Sequence, residues 1–323
     1  MKTHRPERNQ KGIALMVVLW ALVLLLALAT EFAFSMKAEV NTTRNFKEDV
    51  ESYHLAKAGI HLAMAEVLMP ATFHASDPDL GLISGIPPVP ATGTPEPEEE
   101  EGEKKTYRSF ERQEIPIGKG SVTYTIEDEN SKVPINKTTR DTLVKILTIA
   151  GVEVGAKRDT IADSILDWID ADDDHRLNGA ENDYYKNRSP SYLAKNGPIE
   201  NLDELLKIRG IDEDLLYGSD EPGGLNRFFT VYDIKTINPN TASEEVITAM
   251  FNESQAKLIV STREEKGFYN NTTSDYFRIR STGNIEGSPA QHSITAVVQK
   301  LTGKDGPTLF IHYWNDNSFE QRI

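Results

Sequence analysis

The sequence predicts an α+β protein: one long N-terminal helix packed on an antiparallel sheet, with an all-helical domain inserted between the strands. Three observations carry this. An unbroken apolar run starts at Ile13 and passes into an amphipathic stripe that reaches Met69 without a proline. Period-two alternation appears at 121–127 and again, much later, at 276–300. Between those two β-rich stretches the apolar spacing and caps are helical.

The first element is the N-terminal junction. Residues 1–12, MKTHRPERNQKG, form a short basic leader with Lys2, Arg5, Arg8 and Lys11 against one acid, Glu7. Gly12 ends it, and Ile13 opens IALMVVLWALVLLLALAT at once. A secretory signal peptide would have a shorter apolar region followed by an A-x-A-like site. Here Ala29-Thr30 leads into Glu31 and FAFSMKAEV, so the processing-like site precedes the apolar segment. A cut there keeps that segment on the mature chain, which is the logic of a prepilin leader. A plain signal-anchor helix needs only the same basic residues and apolar stretch, and stays open beside it. Ile13 to Ala29 is near the short end of the about 17–25 residues that span a bilayer core. Phe32, Ala33 and Phe34 extend it past Glu31, giving a transmembrane part of about 13–34. The basic flank predicts a cytoplasmic N-terminus, with everything after about residue 36 outside the cytoplasm.

The helix is expected to continue over 13–70, ending at Pro70. Phe46, Val50, Tyr53, Ala56, Ile60, Ala63 and Val67 recur at intervals of three and four and mark one buried stripe. An amphipathic coiled-coil stalk would show the same pattern. The net charge of −15 becomes more negative still once the leader is lost. Such a chain repels DNA and anionic lipid surfaces. With no cysteine, no disulfide framework is available, and stability rests on packed cores and on metal.

Residues 71–106 join prolines to a run of acids, GIPPVPATGTPEPEEEEGEKK, and offer almost nothing to bury, so a mobile loop is expected. The β core is assigned to 107–129 and 275–323. It begins with Val122, Tyr124 and Ile126 on one face, resumes with a hairpin over 276–282 and 292–300, and ends with a strand at 309–314. The inserted helical domain is 130–274, with helices expected at 140–150, 156–169, 201–209 and 242–250. Ser243 before Glu244-Glu245 is a plausible helix start.

Inside the insert, DADDDHRLNGAE places Asp170, Asp172, Asp174, Asn178 and Glu181 at loop positions 1, 3, 5, 9 and 12. Arg176 at position 7 would supply a backbone carbonyl. This is the ligand spacing of an EF-hand loop, and calcium, a hard ion that takes six to eight oxygens, suits it better than magnesium. His175 stands where an EF-hand has glycine, so the backbone departs from that pattern. A solvated acidic loop is the bland alternative.

A weaker feature is the likeness of IENLDELLKIRGIDEDLL and INPNTASEEVITAMF to helix-hairpin-helix DNA-binding domains. The turn Arg209-Gly210-Ile211-Asp212 carries an acid where a second phosphate-binding glycine would be wanted. A structural hairpin without nucleic acid is the expectation; a membrane-anchored DNA-uptake receptor would require a basic face near Lys207, Arg209 and Arg227. No nucleophile-elbow or metalloprotease motif is present, so no enzyme is expected, although a signal-anchored enzyme is the third reading.

These segments together resemble the K-type minor pseudopilins of bacterial type II secretion systems. The resemblance lies in KGIALMVVLWAL, YTIEDENSKVPIN, DSILDWIDADDDHRLNGAENDYY, NLDELLKIRGI and INPNTASEEVI. It covers most of the chain apart from the acidic loop. It implies cleavage by a prepilin peptidase after Gly12, methylation of Ile13, a pseudopilin core with an inserted helical domain, and calcium in the acidic loop. Most pilin-like proteins carry glutamate at the fifth mature position; here it is Val17, as in the K type. A subunit at the filament tip has no neighbour above to pair with such an acid, and an unpaired carboxylate in the membrane is costly. The resemblance further implies that the helix from Ile13 to Phe34, including Val17 and Trp20, packs against I- and J-type minor pseudopilins. An inner-membrane assembly platform would be the other partner. The bulk of the chain would then lie in the periplasm, anchored once in the inner membrane.

Overall fold

The computed structural model describes residues 10–69, 78–87, 109–218, 224–304 and 306–316. Helix α1, Gln10–Leu68, runs unbroken for 59 residues, about 90 Å at the α-helical rise. Its most apolar stretch has a mean hydropathy of 2.9, and none of it is buried against the protein. The helix is long and apolar enough to cross a membrane.

The buried stripe starts later than the sequence pattern indicates. Ala56, Ile60, Ala63 and Val67 are fully buried, whereas Phe46 is 71% exposed and Val50 is 37% exposed. The reason is the reach of the sheet: its apolar face meets α1 from Ser52 onward, where Gly283 lies against the helix backbone. Just before that level the contacts are polar, Ser288 Oγ to Glu48 at 2.6 Å and His292 Nδ1 to Asp49 at 3.8 Å. A Cβ at Gly283 would collide with the Ser52 carbonyl oxygen and the Ala56 nitrogen, so glycine is what allows this close approach. Before those polar contacts the helix overhangs the domain.

Strands β1 (Ser109–Ile117) and β2 (Gly120–Asp128) form a hairpin, with β3 (Val133–Pro134) and β4 (Phe229–Thr230) outside the main sheet. The later strands are β5 (Tyr276–Ile285), β6 (Gln291–Gly303) and β7 (Gly306–Asn315). The main sheet has the order β1-β2-β5-β6-β7, antiparallel throughout. One face carries Val122, Tyr124, Ile126, Ile279, Ile294, Ala296 and Val298 against the α1 stripe. Burying each such side chain is worth roughly 1.5–3 kcal/mol. The expected strands at 121–127, 276–282, 292–300 and 309–314 all lie in this sheet. Asp128 pairs with Phe277, so the chain leaves β2 and re-enters β5 at neighbouring points, and that adjacency lets a whole domain sit between them.

Two expectations change. The loop assigned to 71–106 includes a packed turn, Pro78–Ile83, whose Leu80, Leu82 and Ile83 are buried in or beside the sheet core. The glutamate run lies outside the described residues. The insert is also not purely helical, because Val133 and Pro134 pair in parallel with Phe229 and Thr230.

The insert packs α2 (Arg140–Ile149), α3 (Ala156–Ile169), α4 (Asn182–Tyr185), α5 (Glu213–Tyr217), α6 (Glu244–Met250) and α7 (Glu253–Lys266). Its core includes Leu143, Ile146, Ile161, Ile165, Trp168, Tyr185, Phe228 and Val246. Thr139 caps α2 and Ser243 caps α6, the latter at the predicted start. The segment expected as a helix over 201–209 is instead a 3-10 turn, Leu202–Lys207, closed by a reciprocal Asn201–Glu204 capping box.

Candidate cation site in the acidic loop

Helix α3 ends at Ile169 because the apolar stripe gives way to DADDD, and Asp170 takes an extended conformation at its C-cap. Two acids one turn apart on α3, Asp163 and Asp167, are buried and face the loop that follows. Despite burial, which pushes the other way, hydrogen bonds from Arg140 (2.6 Å) and Asn178 (3.1 Å) hold the Asp163 carboxyl below its usual range. Asp167 accepts from the Arg176 backbone at 3.2 Å, from Arg176 Nη1 at 2.7 Å and from the Ala180 nitrogen at 2.9 Å. Burial nonetheless raises its pKa.

The same Arg176 Nη1 lies 2.5 Å from Asp170 Oδ2. The other Asp170 oxygen is buried and has no hydrogen-bond partner. Glu181 is 1% exposed, and no donor reaches either of its carboxylate oxygens. Burial, and then repulsion from Asp167, Asp170 and Asp173, pushes Glu181 up to about 7. An unpaired buried carboxylate costs a great deal, and a cation is the group that removes the cost. The donor set is oxygen throughout, as calcium requires.

The structure brings Asp170 and Glu181 into one acidic cluster and leaves Asp172 and Asp174 exposed beside it. Asp172 Oδ1 accepts from the Asp174 nitrogen at 3.0 Å. Asn178 turns its amide nitrogen to Asp163. The Arg176 carbonyl accepts from Gly179 N and contacts His175 Nδ1, each at 3.0 Å, and its guanidinium fills the space between Asp167 and Asp170. Among the described residues, no three acidic or histidine side chains already form a metal cage. The EF-hand count passed over Asp163, Asp167 and Asp173; the spacing of the first two on α3 was the signal that could have found them.

At the other end of the chain, Ile13, Val17 and Trp20 are all exposed on α1. Gly12 has open space around it.

The helix-hairpin-helix likeness has a structural explanation. Gly210 takes a φ of +89° and packs on Ile161, while Asp212 caps α5 by accepting from the Leu215 nitrogen at 2.9 Å. The turn is thus closed by its own carboxylate. Arg209 stacks over Tyr184 and donates to the Gly179 carbonyl, and Arg227 pairs with Glu245, so these bases do not form an open phosphate-binding face.

Residues 125–217, from the end of β2 to α5 and including the acidic loop, match the family model of type II secretion system (T2SS) protein K. A type II secretion system protein K of Pectobacterium carotovorum subsp. carotovorum is 30% identical over 182 residues, covering 48% of this chain and 52% of that protein. The protein of the same name in Pseudomonas aeruginosa is 26% identical over 275 residues, 81% of this chain and 75% of its own length. The chain thus spans about half the length of the first relative and three quarters of the second. A solved structure described as the GspK-GspI-GspJ complex from the enterotoxigenic Escherichia coli Type 2 Secretion System is similar with a TM-score of 0.49 and 17% identity, over 64% of this chain and 83% of that chain. The family model and these relatives thus agree: over the spans they cover, the chain is similar to type II secretion system protein K.

Proposed function

We infer that the chain is a minor pseudopilin that sits at the tip of the type II secretion pseudopilus, where it initiates or caps assembly for the export of folded proteins. One observation carries the reading. Helix α1 is continuous from Gln10 to Leu68, yet its apolar first half is packed against nothing among the described residues while its second half is fixed to the sheet. A helix built this way transmits the position of a membrane contact directly to the folded domain. The leader would be removed after Gly12 by a prepilin peptidase and Ile13 methylated. The exposed segment from Ile13 to Phe34, including Val17 and Trp20, would then pack against I- and J-type minor pseudopilins and meet the inner-membrane assembly platform. The role is one of assembly, with no catalysis, and the domain lies in the periplasm. The absence of an acid at Val17 and the bulk of the insert both fit a subunit with nothing above it.

Calcium belongs to this reading. Asp170, Asp172, Asp174, Asn178 and Glu181 would hold it, with the Arg176 carbonyl as a further oxygen once the turn to Gly179 opens. The orphaned oxygens of Asp170 and Glu181 support this. Bound there, the ion would add positive charge beyond that of Arg176, which pairs with Asp167 and Asp170, and fix the loop to α3.

The test is co-extraction. The full chain, co-expressed with I- and J-type minor pseudopilins and solubilised in detergent, should retain both through purification. Trp20→Ala should weaken that retention several-fold while thermal unfolding of the domain is unchanged. Retention of neither partner by the parent chain would remove the tip assignment.

A further inference from the structure

The sheet and the insert have separate apolar cores, and a buried polar layer lies between them. At its centre is Asp128, the last residue of β2, which is fully buried. Its carboxylate collects hydrogen bonds from distant parts of the chain. Asn130 N donates at 2.8 Å, Ser274 Oγ at 2.6 Å, Thr241 Oγ1 at 2.5 Å and Asn238 Nδ2 at 3.3 Å. Asn238 Nδ2 also reaches the Leu82 carbonyl at 3.0 Å, which adds the packed turn before β1. One carboxylate thus ties the end of β2, the returning chain of the insert, the approach to β5 and the 78–83 turn.

Among the described residues, no cation is one of its hydrogen-bond partners. The bases nearby are engaged elsewhere: Lys132 lies 2.7 Å from Glu127, and Arg278 2.6 Å from Glu129. Asp275 is bonded to the Asn130 amide at 2.9 Å, and the insert's Tyr232 stacks on Tyr276 with His312 against both. A polar layer of this kind contributes little net stability, but it fixes orientation, because each of its donors is satisfied in one arrangement only.

We propose that the Asp128 cluster is a latch that sets the angle of the insert on the sheet, so that releasing it frees the two bodies to move while each stays folded. Its state responds to proton uptake. Burial outweighs the four hydrogen bonds and pushes Asp128 up to about 6. A raised folded-state value means that protonation favours the assembled form. That contribution is complete below the ordinary carboxylate range and is lost as pH rises through about 6.

The chain has no cysteine, so a spin-label pair at Glu153→Cys in the insert and Glu286→Cys in the β5–β6 turn can be placed cleanly on the full chain in detergent. The parent should give one narrow distance distribution. Asp128→Ala should broaden it roughly two-fold, with helix and strand content kept. Asp128→Asn, which preserves shape, provides the second readout. The parent's melting temperature relative to Asp128→Asn should rise as pH falls from about 8 to about 5. A narrow distribution in Asp128→Ala would overturn the proposal, as would a parent-to-Asn difference that is flat with pH. If Asp128→Ala fails to fold, the Asp128→Asn comparison decides alone.

Discussion

The Tyr124 hydroxyl donates to Glu66 Oε1 at 2.8 Å, joining the second strand to the lower part of the long helix across a buried contact. Arg112 closes the other side of the carboxylate, with Nη2 at 3.0 Å and Nε at 3.2 Å. Burial, then the Glu66 contact, raises the Tyr124 pKa, so the hydroxyl stays a donor at physiological pH. Glu66→Ala leaves that hydroxyl without its acceptor and should cost about 2 kcal/mol in denaturant unfolding. A loss below about 0.5 kcal/mol would show that the trio does not fasten helix to sheet.

The point at which α1 leaves the domain gives a paired prediction. Ile60→Ala opens a cavity between the helix and the sheet and should cost about 2–4 kcal/mol. Phe46→Ala removes a side chain that is 71% exposed and should change domain stability by less than about 0.5 kcal/mol. Equal effects at the two positions would place the start of the helix–sheet contact wrongly.

Calcium should stabilise the insert, and Glu181→Gln should lower calcium affinity by at least about ten-fold in titration calorimetry, because it removes a charged ligand from a crowded oxygen site. Unchanged affinity in that variant would rule out Glu181 as a ligand.

Without metal, the same residue predicts a pH dependence of opposite character. Its folded-state value is raised to about 7, so its contribution is present below the ordinary glutamate range and lost as pH rises through about 7. In chelator, the melting temperature of the parent relative to Glu181→Gln should therefore fall between about pH 5.5 and about pH 8. A difference that is constant over that range would show Glu181 to be paired without metal.

Much of this arrangement was legible because it is local. The long apolar run of α1, the α3 stripe ending at Ile169 and the Ser243 cap all express themselves in local spacing. Strand β1 was not legible: the register shifts between Arg112 and Ile115, Glu114 takes a positive φ, and Pro116 interrupts the pattern, so period-two alternation is lost. Helix α7 was missed because it buries only Ala256, Ile259 and Arg263, too few to leave a stripe. In the acidic loop, counting from Asp170 finds Glu181 but not Asp163 or Asp167, which belong to the helix before it. Apart from Asn130, the partners of Asp128 could not be found locally, since Asn238, Thr241 and Ser274 follow it by more than a hundred positions.

The central claim is that the apolar half of α1 is a processed pilin-type segment and not a plain anchor. Intact mass and N-terminal analysis of the membrane-extracted chain, with and without co-expressed prepilin peptidase, tests it most directly. The account predicts a mature chain that begins at N-methylated Ile13 only when the peptidase is present. A chain that still begins at Met1 beside an active peptidase would contradict it and leave a signal-anchored protein in its place.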